Sequence, residues 1–390
     1  MRNKVLTIVA AALVLASSAF AEPNKKINFK VLGSTGGFPT GGTLVADSKG
    51  NLYGANNLGD LGAGGVYEVS PLGNGKWKVT TIYDMLDFPN QGLAIDAKGN
   101  LYGGDTLGGN DGEGEIFELS PNGDGTFSES SIYSFPGISQ PGGPNGDLLL
   151  DAKGDIFGTT IGNGNGGEEV AFELKNTANG YEYETVYTFC SLQNCVDGLY
   201  PKDGLVADAA GNLYGTTYGG GANQDGTVYK LSQKNGKWSE TVLHSFDGTD
   251  GNFVSVRLTI DAAGNLYGTT PTGGTSNNGT VFEVDSKGVF STLYSFDGTG
   301  GTSAYGSPTL DAAGQLLGTT DGGGAFNGGT VYALTKNQSG VWNEAAYYSF
   351  PASDEGGPIG GLYINQAGDV FGFTYTSKLF GYAEVFEFSH

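Results

Sequence analysis

One short segment recurs along this chain and constrains its fold more than any other feature. Asp47-Ser48-Lys49-Gly50-Asn51-Leu52-Tyr53-Gly54 returns at Asp96–Gly103, Asp151–Gly158, Asp208–Gly215 and Asp261–Gly268, with looser copies at Asp311–Gly318 and Asn365–Gly372. A second anchor follows each copy, as in Val66-Tyr67-Glu68-Val69, Ile116-Phe117-Glu118-Leu119 and Val281-Phe282-Glu283-Val284. A third lies between copies, as in Ile132-Tyr133-Ser134-Phe135 and Leu293-Tyr294-Ser295-Phe296. A period of about 50 residues points to a propeller or a solenoid.

Each unit reads as four short strands. In the fourth copy these are Gly204–Asp208, Asn212–Thr216, Thr227–Leu231 and Trp238–Phe246. The Asp-x-x-Gly-Asn element between the first two suits a tight turn, in which the carboxylate caps backbone N–H groups and glycine takes positive φ. No helical period appears after the N-terminal segment. Four strands per unit and seven units predict an all-β fold: a seven-bladed β-propeller of four-stranded antiparallel blades. The phase of the repeat predicts how the ring closes. The last unit stops after its third strand, and residues 27–34 match a fourth strand with no unit before it. That N-terminal strand is expected to pair with residues 383–388, which removes two sheet edges that otherwise invite association.

The recurring Tyr-Ser-Phe, Asp-x-x-Gly-Asn-Leu-Tyr-Gly-Thr-Thr, Gly-Gly-Gly and Gly-Thr-Val-Phe-Glu elements resemble the GloVer-type tandem repeat, over essentially all of residues 27–388. The resemblance implies a module of exported bacterial proteins, sometimes with a C-terminal surface anchor, and no particular activity. The turn element is also similar to those of NHL-like propellers and the lyases and lactonases related to them, a likeness of fold that carries little about function.

The N-terminus reads as a targeting signal. Arg2 and Lys4 precede an apolar run from Val5 to Leu15, and Ala19-Phe20-Ala21 supplies a small-x-small cleavage site. The expectation is a signal peptide over residues 1–21, cleavage after Ala21, and a single propeller domain over residues 22–390, secreted or periplasmic, not inserted in a membrane, and monomeric. No hydrophobic tail follows, which favours a released protein over an anchored one. Glycine is 70 of 390 residues, yet aromatics reach 12%, so the chain has a core to bury and is not a disordered linker. The formal net charge of −22 argues against a nucleic-acid partner. An extracellular glycan or protein is the partner class that remains.

Chemistry is sought where the repeat breaks its own pattern. The turn aspartates recur and read as caps rather than ligands. Only His244 and His390 are available as histidines, which leaves too few for a multi-histidine metal site and gives no motif for a Ser-His-Asp triad. His244 takes a position filled by Tyr83, Tyr133, Tyr187, Tyr294 and Tyr348 in other units, so it reads as an aromatic-sized substitute. Cys190 and Cys195 are expected to form a local disulfide that shapes a long loop. Arg257 is the one arginine beyond the N-terminal segment, and it sits at a register position held by Asp147 in the third unit. Both are expected at the mouth of the central channel, as a structural ion pair or as a clamp for a carboxylate or sulfate.

The loops on one face add Tyr200, Tyr305 and Phe326 as candidate ligand-binding aromatics and Asp247, Asp250, Asp297 and Asp111 as candidate metal ligands. Gly108–Gly112 resembles one turn of a Ca²⁺-binding Gly-Asp repeat. No motif demands a cofactor, and Ca²⁺ is the ion that oxygen-rich loops would suit. The balance favours a non-enzymatic binding or scaffold module using its loop-rich face. The rival is a propeller lyase, lactonase or glycosidase acting on an extracellular carbohydrate or related small molecule.

Overall fold

The computed structural model describes residues 27–37, 40, 42–57, 64–85, 89–110, 112–136, 142–160, 162, 168–352, 355–376 and 383–389. The expected signal peptide and Asp111 lie outside the described residues. Among the described residues the chain forms seven four-stranded antiparallel sheets, each built from strands consecutive in sequence except the last. In the fourth blade the order from channel to rim is Leu199–Ala207, Leu213–Gly219, Thr227–Lys234 and Lys237–Ser245. The inner strand starts earlier than its sequence suggests. It is lengthened across a break in register between Lys202 and Val206, where Asp203 and Gly204 both take positive φ, 61° and 85°.

The two recurrent anchors are one packing device. The glycine of Leu-Tyr-Gly lies on the second strand, and the aromatic of the third strand crosses directly over it. A Cβ on Gly103, Gly158, Gly268 or Gly372 would overlap the ring of Phe117, Phe172, Phe282 or Phe386, and Gly54, Gly215 and Gly318 stand in the same relation to Tyr67, Tyr229 and Tyr332. These aromatics are fully buried and fill the space between neighbouring blades, as Tyr67 does among Leu44, Leu52, Phe371 and Phe373. The turn aspartates are caps, as their repetition suggests. Asp47 Oδ1 accepts from the N–H groups of Lys49 (2.8 Å) and Asn51 (2.9 Å), and Tyr53 donates to Oδ2 at 3.2 Å.

Closure takes the predicted form. Asn28–Ser34 pairs antiparallel with Ala383–Ser389, from Asn28 opposite Ser389 to Ser34 opposite Glu384, with a bulge between Val31 and Gly33. The strand becomes the rim of a sheet otherwise made of Glu355–Ile364, Val370–Thr376 and Ala383–Ser389. Its Phe29 stacks on Tyr348 of the sixth blade at 5.0 Å between centroids. Among the described residues no helix is long and apolar enough to cross a membrane.

Candidate ligand site in the central channel

Seven inner strands surround the channel, and the register position four residues before each turn carries Thr43, Gly92, Asp147, Gly204, Arg257, Ser307 and Gly361. The structure brings the two charged members together. Arg257 Nη1 stands 3.7 Å from Asp147 Oδ2, across the intervening fourth blade. The glycines make that approach available. Gly92 donates its N–H to Asp147 Oδ1 at 2.7 Å, and a Cβ there would lie 2.7 Å from the same oxygen. A side chain on Gly204 would overlap the backbone carbonyl of Asp147.

The pairing is unequal. Asp147 is almost fully buried at 6% exposure, and its carboxylate is held by the Gly92 amide and faced by the guanidinium. Burial nevertheless raises its pKa, with Arg257 and the Gly92 amide opposing the rise. Arg257 is under-used. Its contact with Asp147 exceeds hydrogen-bond length, and its buried Nε has no hydrogen-bond partner among the described residues. A buried guanidinium nitrogen without a partner costs free energy that an acceptor would recover.

Asp203 is a third charged residue that the sequence reasoning missed. Burial first, and then the charge of Asp147, push its pKa up to about 8, against a smaller lowering by Lys202. Asp203 is therefore largely a neutral acid at neutral pH. It lies in the irregular stretch of the fourth inner strand, and such bulges re-aim side chains. The signal was present as the Lys202-Asp203-Gly204 triplet, one residue from the register position that singled out Asp147 and Arg257.

Beside Arg257 the channel holds a cavity of about 340 Å³. Its walls carry two kinds of residue. Thr43, Arg257 and Ser307 share the register level described above, and Leu258–Ile260, Pro308–Leu310 and Leu362–Ile364 follow it toward the turns. Arg257 is the one charged residue among the described residues that line it.

The remaining sequence candidates lie apart from this cavity. Tyr305 and Phe326 are exposed on the loops, whereas Tyr200, expected on a loop, is exposed at the start of the inner strand Leu199–Ala207. Tyr200 takes φ 57°, with its N–H donated to Glu169 Oε2 at 2.6 Å. Nearby, Lys202 lies 4.6 Å over the Tyr218 ring, which stacks on Phe253. Asp247 and Asp297 cap their own loops by accepting from Thr249 and Thr299. Asp250 takes the N–H of Asp247 on one oxygen and lies 2.7 Å from His244 Nε2 on the other. His244 itself stacks on Phe290 at 3.6 Å, the aromatic role expected of it. Among the described residues no group of three metal-ligating side chains converges. Cys190 and Cys195 are joined as expected, and their loop wraps the buried Asp197, which accepts from Tyr187 and Ser191.

Fold and site together define a β-propeller repeat protein with a ligand-sized cavity at its axis. The chain belongs to the Gloeobacter/Verrucomicrobia repeat family, whose profile matches residues 144–386, more than half of its length. No curated protein matches it. Among solved structures it is similar to an ancestral GH74 enzyme at 12% identity and TM-score 0.58, covering 92% of this chain and 48% of that one. It is also similar to a chain of a mitotic checkpoint complex at 13% identity and TM-score 0.55, covering 99% of this chain and 100% of that one. A gluconolactonase from Xanthomonas campestris shares 18% identity at TM-score 0.48, over 76% of this chain and 87% of that one. At these identities the likenesses concern the fold alone.

Proposed function

We propose that the protein is an exported, non-enzymatic binding module that takes a small anionic ligand in its central channel, with Arg257 as the anchor. Arg257 carries the reading: it faces a cavity, its neighbour Asp147 engages it only loosely, and its Nε lacks an acceptor. The formal net charge of −22 does not oppose this at short range, because repulsion from distant exposed acids is screened beyond about 8 Å at physiological ionic strength. Export rests on the signal-like order of Arg2, Lys4, the apolar run and Ala19-Phe20-Ala21. Protein released by a host cell is expected to begin at Glu22 by mass spectrometry; retention of Met1 in the released protein would refute export by cleavage.

A ligand that binds only the folded state raises the unfolding midpoint by mass action. Thermal unfolding is expected to shift upward with simple carboxylates, and Arg257→Gln is expected to remove that shift while leaving the ligand-free fold intact. A Ca²⁺-dependent or oligosaccharide-dependent shift, with none from any anion, would replace the channel reading with one centred on the loops.

The acid pair favours one rival. Asp203, with its pKa pushed up to about 8, stands beside the buried Asp147, and two neighbouring carboxyls are the kind of pair that acid–base hydrolysis uses. An enzyme of the glycosidase or lactonase kind would lose turnover with Asp203→Asn at unchanged folding, whereas a binding module has no turnover to lose.

A further inference from the structure

The cavity beside Arg257 is layered, and the layers specify more than a negative charge. At one level stand the guanidinium of Arg257 and the hydroxyl-bearing Thr43 and Ser307, on the fifth, first and sixth blades. Toward the turns the walls become mainly apolar, with Ile260, Leu310, Ile364 and Tyr363 half-buried and Leu258 and Leu362 buried beside them. The threonines among them do not make this wall polar. Thr309 donates its hydroxyl to the carbonyl of Leu362 at 2.7 Å, and Thr259 donates in the same way to Pro308. Their hydrogens are thus committed to the neighbouring blade.

We infer that the channel binds a monocarboxylate with an apolar body, its head group on Arg257 and its chain or ring against Ile260, Leu310 and Ile364. This rests on the anion-binding reading above and narrows it. A polyol or sugar acid needs hydrogen-bond partners along its length, and Thr259 and Thr309 hold their hydroxyls in backbone contacts, which leaves Tyr363 as the one other hydroxyl-bearing side chain of this wall; burying such groups unpaired is costly. An alkyl or aryl body gains from the same wall, at about 25 cal/mol per Å² removed from water. A cationic ligand finds no counter-charge, because Asp147 does not line the cavity and its carboxylate is faced by the guanidinium. A volume of about 340 Å³ lies at the small end of ligand sites and suits a chain of moderate length rather than an oligosaccharide.

The test is titration calorimetry of the purified full chain with octanoate, 1-octanol, octylammonium and gluconate at neutral pH. Octanoate is expected to bind once per chain, octanol more weakly, and gluconate and octylammonium not measurably. Arg257→Gln is expected to weaken octanoate by about tenfold or more and to leave octanol unchanged. Leu310→Asn, which keeps the head-group level, is expected to weaken octanoate and octanol together. If Arg257→Gln fails to fold, as circular dichroism would report, the octanoate-to-octanol ratio on the native protein decides the same point. Gluconate binding as tightly as octanoate would overturn the apolar body and leave Arg257 as an anion site. Octanol or octylammonium equalling octanoate would overturn the carboxylate assignment, and no binding by either acid would overturn both readings.

Discussion

Asp203 occupies a backbone conformation that few aspartates adopt, φ 61°, next to the equally left-handed Gly204. The bulge sets it beside Asp147, and burial together with that neighbouring charge favours its neutral form. The sign of the consequence follows from linkage. An aspartate whose pKa rises on folding binds its proton more tightly in the native state, so its contribution is complete below its unfolded value of about 3.9. That contribution is lost as pH climbs through its folded value of about 8. Asp203→Asn is therefore expected to flatten the pH dependence of stability across this window. Above about pH 8 it should raise stability by on the order of 1–2 kcal/mol, allowing for solvent screening of a partly exposed group. Urea midpoints measured at acid and alkaline pH check this, and equal slopes in both proteins would show that the carboxyl is not perturbed. Glu240 and Glu344, raised to about 7 chiefly by burial at blade interfaces, shape the wild-type slope in the same direction.

At the scale of the strand, two features make a blade: a glycine under an aromatic ring and an outer strand whose side chains meet the next blade. Gly268 shows the first most clearly, because a Cβ there would come within 2.8 Å of Phe282 Cε1 and closer still to the ring tip. Gly268→Ala is expected to destabilise by about 1–3 kcal/mol through overpacking, and Phe282→Leu in the same chain to recover part of that loss. Additive costs in the double-mutant cycle would show that the two positions do not contact. The outer strands alternate in chemistry around the ring. Tyr133 stacks on Tyr183, His244 on Phe290 and Tyr348 on Phe29, whereas Tyr83 hydrogen-bonds Glu129 and Tyr294 donates to Glu344 at 3.4 Å. His244 thus belongs to a structural series, and its exchange for the tyrosine of other blades is explained by stacking.

The whole molecule depends on one contact between chain ends. Asn28–Ser34 gives the last sheet its rim and covers the backbone edge of Ala383–Ser389. Phe29 lies against Tyr348, Phe350, Phe386 and Phe388, so it joins the sixth blade to the seventh. Phe29→Ala is expected to cost about 2 kcal/mol, somewhat below a fully buried phenylalanine because the ring keeps part of its surface exposed. Hydrogen exchange should quicken first in 383–389; uniform quickening in all blades would show that closure and the rest of the ring melt as one unit.

The fold was legible because its determinants are local and repeated. Glycine for the crossing aromatic, aspartate for the turn, and a displaced fourth strand at the N-terminus each follow from residue chemistry at fixed spacing, and seven copies remove ambiguity from any one. Sequence alone also placed Arg257 and Asp147 at one level, because register is counted from the turn. It did not place Asp203 with them, since the inner-strand register breaks between Lys202 and Val206, as it does between Asn90 and Ala94 and between Ile359 and Tyr363, and no residue pattern marks the break. Only the tertiary structure left the Arg257 Nε without an acceptor and turned the threonine hydroxyls of the wall toward neighbouring carbonyls. Those facts depend on contacts between blades distant in sequence, where burial and the committed donors, rather than residue type, decide what a side chain has left to offer a ligand.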